Sequence, residues 1–179
     1  MRFIFALVLS FIGFFAKAQS ISFGNKAKIY LVRHAEKLPG EDPLLTTDGN
    51  KRAGDLMRTL KDKHIQRIFV TEFKRTQNTA DSLRIQLGID TVHYLSDTSC
   101  TDLFGKIKAN NDMENTILII GHSNTIPVII RKLGIANYPP VDIPSNEFDN
   151  LFLVKFKKGK PSLKKMKYGA ASGASATMK

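Results

Sequence analysis

The feature that most constrains the fold is a strong strand signal, the run from Thr116 to Ile120, in which four aliphatic residues follow the threonine. A strand with one face in water alternates apolar and polar residues, whereas this run is apolar on both faces. Strands of that kind lie at the centre of parallel sheets that helices cover on both sides. The run therefore predicts a buried central strand, and His122 comes shortly after its carboxyl end.

Other strand and helix signals alternate along the chain. Short runs of β-branched and aromatic residues predict strands at 29–32, 67–71, 91–95, 151–156 and 163–168. Apolar residues at helical spacing predict helices at 47–60, 76–87, 102–109 and 125–133. This order predicts an α/β protein, specifically a three-layer α/β/α sandwich with a mostly parallel central sheet. Ligands of such folds bind at the carboxyl ends of the strands.

The first residues of the chain have the pattern of an export signal. Arg2 is followed by an apolar run over residues 3–16, and the small residues Ala16 and Ala18 form a cleavage site. The run is shorter than the roughly 20 residues of a membrane-spanning helix, which favours cleavage near Ala18 over an uncleaved anchor. We therefore expect a periplasmic or secreted protein that consists of a signal peptide, one folded domain and a disordered tail, at residues 1–18, 19–168 and 169–179.

Positive charge is concentrated at the end of the chain. The formal net charge is +11 at pH 7, and eight lysines lie after Asn150, where there is no acidic residue. Without these eight, and without Arg2 and Lys17 of the signal, a charge of +1 remains for residues 19–150. The nearly neutral body argues against nucleic acid as a partner. Weak contact of the basic tail with anionic glycans, lipid headgroups or other polyanions stays an alternative.

Cys100 is the only cysteine of the chain. A single cysteine cannot form an intramolecular disulfide, and a four-cysteine zinc site is excluded as well. No local signature of a catalytic thiol surrounds it, so we interpret Cys100 as a residue at the start of a helix.

Polar residues cluster where three of the predicted strands end. Arg33 and His34 follow the first strand, and Arg75 comes just after the second. His122 follows the central strand. Because carboxyl ends of parallel strands meet at one edge of a sheet, we expect these side chains to converge. Arginine binds phosphate oxygens bidentately, and a neutral imidazole can attack phosphorus, so the cluster indicates a site for a phosphoryl group.

Four short blocks carry a resemblance to a known family. Residues 31–36 read Leu-Val-Arg-His-Ala-Glu and resemble the Arg-His-Gly signature of the histidine phosphatase (phosphoglycerate mutase-like) superfamily. Residues 45–49 resemble its Leu-Thr-x-x-Gly segment, and residues 71–80 its Ser-x-x-x-Arg-Thr-x-x-Thr-Ala block. Residues 119–123 resemble its Gly-His block. The blocks occur in the family's order across residues 28–156, which is most of the mature chain.

The resemblance implies an exported, metal-independent phosphatase that needs no cofactor and acts on a small phosphorylated substrate. His34 would attack phosphorus and become a covalent phosphohistidine. Arg33, Arg75 and His122 would hold the phosphoryl oxygens in place of a magnesium ion. Residues 35–40 lack the continuation found in the family's mutases, which disfavours phosphoglycerate mutase activity. The alternative is a protein of the same fold that binds phosphorylated ligands without turning them over.

The acid that would protonate the leaving group is the least defined part of the predicted site. The family places a glutamate after the third strand, and this chain has no clear counterpart. Asp97 lies in that segment, where it could instead be an N-cap of the next helix. Glu72 lies beside the arginine block, where it could instead form a salt bridge with Arg75 or Arg33. A site without an acid would favour good leaving groups, as in phosphoramidates or pyrophosphates.

Overall fold

A computed structural model describes residues 22–139 and 141–172 of the chain. The predicted signal peptide, residues 1–18, lies outside the described residues, and so does the last part of the predicted tail, residues 173–179. Within the described ranges, no helix combines the length and the apolar character that crossing a membrane requires.

The described residues form one sheet with the strands β1 (Lys28–Arg33), β2 (Arg67–Thr71), β3 (Thr91–Tyr94), β4 (Thr116–Gly121), β5 (Asn150–Lys157) and β6 (Lys160–Lys167). Their order in the sheet is β3-β2-β4-β1-β5-β6. Strands β1 to β4 run parallel, β5 is antiparallel to β1, and β6 is antiparallel to β5. All residues of β4 are buried, and it pairs with both β1 and β2, as its apolar sequence predicts.

The same part of the chain forms four α-helices, α1 (Thr47–Leu60), α2 (Lys74–Leu87), α3 (Thr101–Ala109) and α4 (Thr125–Lys132). The sequence predicts all of them, although α2 begins two residues earlier than expected. Thr46 is the N-cap of α1, because its hydroxyl accepts a hydrogen bond from the Gly49 N–H over 3.0 Å. At the C-terminal end of α2, Gly88 adopts a left-handed conformation with φ 64°, which ends the helix.

The sheet separates two apolar cores, and this separation makes the fold three-layered. Side chains alternate along a strand, so neighbouring residues point to opposite faces. In β1, Leu31 packs on the side of α3 and α4, whereas Val32 packs on the side of α1 and α2. Burial of one large aliphatic side chain stabilises the fold by roughly 1.5–3 kcal/mol. The predicted α/β/α sandwich with a mostly parallel sheet is confirmed.

The pairing of β1 with β4 determines where the polar strand ends meet. The two strands are parallel, and Arg33 lies opposite Gly121. The pairing continues one residue further, because the N–H of His34 donates to the carbonyl of Gly121 over 2.9 Å. His34 and His122 therefore leave the sheet side by side at its carboxyl edge.

The end of the described chain contacts the loop that precedes β5. The hydroxyl of Ser172 accepts hydrogen bonds from the backbone N–H groups of Phe148 (2.8 Å) and Asp149 (3.0 Å). In return, the Ser172 N–H donates to the Asp149 carboxylate over 3.2 Å. Ser172 thus binds the loop that precedes β5, and disorder of the tail from residue 169 stays a prediction.

Candidate active site

His34 follows β1 and is buried, with 3% of its surface exposed. Its ring Nδ1 lies 2.8 Å from the carbonyl oxygen of Ala35. A carbonyl only accepts hydrogen bonds, so Nδ1 carries the proton and donates it. The lone pair is then on Nε2, which makes Nε2 the atom able to act as a nucleophile. Ala35 replaces the glycine of the family signature, and its φ is not positive, so its β-carbon causes no strain.

The backbone after this histidine is held by side chains from two helices. The N–H of Ala35 donates to the hydroxyl of Thr79 in α2 over 2.9 Å. Glu36 forms an ion pair with the buried Arg52 of α1, whose Nη2 lies 2.7 Å from Oε1 of Glu36. A β-carbon at Gly49 would overlap the carbonyl oxygen of Glu36, so α1 can approach this loop only with glycine there. The loop is therefore fixed before any ligand binds.

His122 lies beside His34, with 5.5 Å between the two ring centroids. Its Nδ1 is 3.4 Å from Nη2 of Arg75, and a guanidinium only donates, so Nδ1 accepts this hydrogen bond. Its Nε2 is 3.1 Å from the hydroxyl of Thr71, which can accept a hydrogen bond from Nε2–H. His122 is therefore neutral in this arrangement, with each ring nitrogen in a different role.

Burial keeps both histidines neutral near pH 7. It lowers the pKa of His34 to about 3, and the positive charges of Arg33 and Arg75 act in the same direction. The pKa of His122 falls to about 4, again mainly through burial and then through Arg75. A neutral imidazole keeps the lone pair that attack on phosphorus requires. The nucleophile is consequently available across the physiological pH range.

Arg75 points its guanidinium at the two histidines from the first turn of α2. The guanidinium stacks on the ring of Phe73, with 4.2 Å between Cζ and the ring centroid. The same ring packs edge-on against His122 at 5.4 Å. Nε and Nη1 of Arg75 are buried and have no hydrogen-bond partner within residues 22–139 and 141–172. Two oriented donors of a charged group are thus available to an anion.

Arg33 divides its hydrogen-bonding capacity between the site and a neighbouring loop. Its Nη1 donates to the carbonyl oxygens of Pro144 (2.9 Å), Ser145 (3.1 Å) and Glu147 (3.1 Å). Its guanidinium stacks on Phe148, with 4.2 Å between Cζ and the ring centroid. Nε is buried and unpartnered among the described residues. Arg33 therefore fastens the loop before β5 over the site and keeps one donor free for a ligand.

The structure places the two predicted acids differently. Asp97 is exposed, and its Oδ1 accepts a hydrogen bond from the N–H of Cys100 over 3.0 Å, immediately before α3. Hydrogen bonds, chiefly from the Ser99 side chain, lower the pKa of Asp97, so it is a poor proton donor. Asp97 is not the N-cap of α3, because Cys100 takes that position, and a catalytic role of Asp97 stays a prediction.

Glu72 lies at the rim of the site but not in the expected salt bridge. Its carboxylate accepts hydrogen bonds from the hydroxyl (2.8 Å) and the N–H (3.1 Å) of Ser96, which follows β3. The carboxylate thus reaches the strand end where the family places its glutamate, although Glu72 itself follows β2. Its charge partly opposes the lowering of the His122 pKa, which is consistent with a position near the histidines. Catalysis by Glu72 stays a prediction.

Three residues contact the site although the sequence assigns them no catalytic or binding role. Phe73 could have been found from the sequence, because it lies two residues before Arg75 in the block of residues 71–80. Thr71 begins the same block, but nothing in the sequence shows that its hydroxyl meets His122. Phe148 follows no motif, and its stacking on Arg33 joins residues far apart in the chain. In the described part of the chain, no group of three or more His, Cys, Asp or Glu side chains is arranged to hold a metal ion.

The lowered histidine pKa values predict that the fold loses stability in mild acid. In the unfolded chain a histidine binds its proton near pH 6.5, whereas His34 and His122 bind theirs only near pH 3 and pH 4. Between these limits the unfolded state holds more protons, so the free energy of unfolding falls as pH falls. We expect a loss of about 2 kcal/mol between pH 6 and pH 5 from the two groups together.

Urea denaturation at several pH values measures this loss. His34→Asn should reduce the slope between pH 6 and pH 5 by about half, because one of the two groups is removed. Between pH 7.5 and pH 8.5 the histidines should contribute no slope, which provides the internal control. An unchanged slope in the variant would contradict neutral burial of His34.

Comparison with known proteins identifies the family to which this geometry belongs. The family model for the histidine phosphatase superfamily, branch 1, matches residues 29–97. The matched region includes Arg33, His34 and Arg75. No curated protein matches the chain.

Several solved structures are similar to this chain. The protein histidine phosphatase SixA complexed with tungstate has a TM-score of 0.60 at 19% identity, covering 78% of this chain and 96% of that one. The α-ribazole phosphatase from Shigella flexneri has a TM-score of 0.61 at 14% identity, covering 82% and 98%. A phosphoserine phosphatase from Entamoeba histolytica in complex with 3-phosphoglyceric acid has a TM-score of 0.56 at 16% identity, covering 81% and 98%. At these identities the likeness shows a common fold.

The family match and the structural likeness agree with the site. Arg33 and His34 lie inside the matched region, and the fold adds His122 to them from the central strand. Together these findings support the histidine phosphatase superfamily that the sequence blocks predict: its family model matches residues 29–97, and the similar solved structures are phosphatases.

Proposed function

We propose that this protein is an exported phosphatase that transfers a phosphoryl group from a small phosphorylated compound to Nε2 of His34, and then to water. No metal ion takes part in this proposal, because the positive charge that phosphoryl transfer needs comes from Arg33 and Arg75. Export rests on the signal pattern of residues 1–18, with cleavage near Ala18 and release to the periplasm or the outside of the cell.

One observation carries the proposal. Three buried arginine nitrogens have no hydrogen-bond partner in the described chain, namely Nε of Arg33 and both Nε and Nη1 of Arg75. An unpaired buried donor costs about 1–3 kcal/mol, and more when it is charged. A phosphoryl group offers several anionic oxygens to such donors, and charge-assisted bonds to them are among the strongest in proteins. The site is therefore built for a tetrahedral oxyanion.

The reaction follows from the protonation states. The Nε2 lone pair of His34 forms the N–P bond while the bond from phosphorus to the leaving atom breaks, and the leaving atom takes up a proton. Water then attacks phosphorus, the N–P bond breaks, and Nε2 recovers its lone pair as phosphate is released. A bound dianion favours protonation of His122, since a nearby negative charge raises a histidine pKa, and the protonated ring then stabilises the transferring oxygens.

The substrate class follows from the acid. Glu72 is the carboxylate nearest to the role of leaving-group acid, but its hydrogen bonds to Ser96 hold it at the rim. Substrates that leave readily, such as phosphoramidates, depend less on such an acid than phosphomonoesters do. The similar structures include a protein histidine phosphatase and a phosphoserine phosphatase, which supports both bond types as candidates. We therefore propose phosphoramidates first and phosphomonoesters second.

The test is a panel of phosphorylated compounds given to the mature chain in the presence of EDTA. Phosphoramidate, a phosphohistidine peptide, p-nitrophenyl phosphate and phosphoserine cover both bond types. We expect turnover with EDTA present, inhibition by tungstate, and a labelled enzyme intermediate that survives alkali and is lost in acid. Binding of these compounds without turnover would instead support the non-catalytic alternative.

A further inference from the structure

Five lysines lie on one face of the sheet, at the end that is opposite to the active site. Strand pairing places Lys28 of β1 opposite Lys155 of β5, and Lys157 of β5 opposite Lys160 of β6. Residues opposite each other, and residues two apart on one strand, point to the same face of a sheet. Lys164 stands opposite Leu153, two residues before Lys155, so it joins the same face. We call these five residues the lysine face.

The four helices of the described chain leave this part of the sheet exposed. Lys155 and Lys157 are exposed, whereas Val154 and Phe156, which point to the opposite face, are buried. Towards the carboxyl end of β1 the same face is covered, because Leu153 packs in the core that contains the residues of α1. The uncovered area is therefore an exposed piece of sheet, and its side chains are mostly lysines.

Protection of a sheet edge explains only part of this pattern. Lysines on an edge strand discourage pairing with other chains, and this accounts for Lys160 and Lys164 on β6. It does not account for Lys28, Lys155 and Lys157, because β1 and β5 are interior strands whose edges are already paired. In the described part of the chain, none of the five lysines forms a salt bridge with a carboxylate. The positive charge is thus left open to solvent.

The geometry favours a flat partner. Strands lie about 4.8 Å apart and alternate residues about 6.7 Å apart, so the ammonium groups form a nearly planar array. Anionic lipid headgroups at a membrane surface offer negative charge with a matching planarity. The chain also enters the fold here, since Phe23 stacks on Phe156 at 4.9 Å and the N–H of Lys158 donates to Asn25.

The active site lies at the opposite edge. Lys28 is the first residue of β1 and His34 follows the last, so the two are about 20 Å apart along the strand. From these observations we propose that the lysine face binds the mature protein to membranes that contain anionic lipids, with the active site turned towards the solution. Docking and catalysis then use separate surfaces.

Vesicle binding tests this proposal on the mature chain, residues 19–179, which retains every described strand and helix. The probes are vesicles of phosphatidylcholine alone or with about 30% phosphatidylglycerol, at about 0.1 M salt. One variant combines Lys155→Gln, Lys157→Gln and Lys164→Gln. A matched control combines Lys63→Gln, Lys108→Gln and Lys132→Gln, three exposed lysines that are not part of the lysine face, with the same change in net charge.

Each lysine close to an anionic membrane strengthens binding about fivefold, so the first variant should bind the anionic vesicles about a hundredfold more weakly. The control variant should lose less than about threefold, and both should hydrolyse a small soluble substrate at the rate of the parent chain. Equal weakening of both variants, or equal binding to vesicles with and without anionic lipid, would overturn the proposal. Tighter binding to soluble heparin than to vesicles would overturn it as well, in favour of a glycan.

Discussion

Replacing His34 by asparagine should lower kcat/KM by about 10⁴-fold or more and abolish the phosphoenzyme. Asparagine has an N–H that can still donate to the carbonyl of Ala35, as Nδ1 of the histidine does. It has no counterpart of Nε2, so only the attacking atom is lost. The measurement is steady-state turnover of the best substrate from the panel, combined with trapping of labelled enzyme after a rapid alkaline quench.

Two further variants make this result specific. His34→Ala also removes the hydrogen bond to Ala35, so its activity should be no higher than that of the asparagine variant. His93→Asn changes an exposed histidine of β3 and should leave turnover within about twofold of the parent chain. Residual activity of the asparagine variant above about one hundredth of the parent value, with label still bound, would assign the covalent step to another residue.

The fold could be predicted because its signals are local. The apolar run of β4 indicates burial on both faces, and the helix signals of α1 include a cap that the structure retains at Thr46. The positions where strands begin and end depend less on local sequence. β6 begins at Lys160, three residues before the predicted start, because its outer residues pair with β5 although their own sequence is polar. Tertiary pairing there overrides a weak strand propensity.

The core of the candidate site was predictable for a similar reason. Arg33, His34, Arg75 and His122 each stand at the carboxyl end of a strand or just after it, and parallel strands bring such ends together. The structure brings all four to one edge. Their catalytic roles rest on the family and on chemistry, and the variants described here test those roles directly.

The remaining contacts could not be predicted, because they join segments that no local pattern relates. Phe148 stacks on Arg33 only because the loop before β5 folds back over the site. The sequence left Glu72 open as a leaving-group acid or as a salt-bridge partner of Arg75 or Arg33, whereas Ser96 offers it two hydrogen-bond donors at the end of the neighbouring strand. The sequence indicates which groups carry charge, and only the packing of loops determines which partners they find.

Replacing Arg75 by lysine should lower kcat/KM by about 10²- to 10³-fold, although the positive charge is kept. The structure points to Arg75 for this test, because its Nε and Nη1 are both unpartnered among the described residues, whereas Nη1 of Arg33 holds loop carbonyls. Lysine supplies a single charged nitrogen and cannot bind two phosphoryl oxygens in a fixed fork. It would also lose the planar stacking on Phe73.

The pattern of the loss distinguishes this role from simple damage to the fold. The lysine variant should bind tungstate more weakly and nearly keep its midpoint in urea, since Nε and Nη1 of Arg75 have no partners in the described chain that unfolding would release. Arg84→Lys is a matched control on the same helix, where arginine pairs with Asp81 at the surface, and it should change kcat/KM by less than about twofold. If Arg75→Lys retained full activity, groups other than Arg75 would have to bind the phosphoryl oxygens. The unpartnered Nε and Nη1 of Arg75 would then have no role in catalysis.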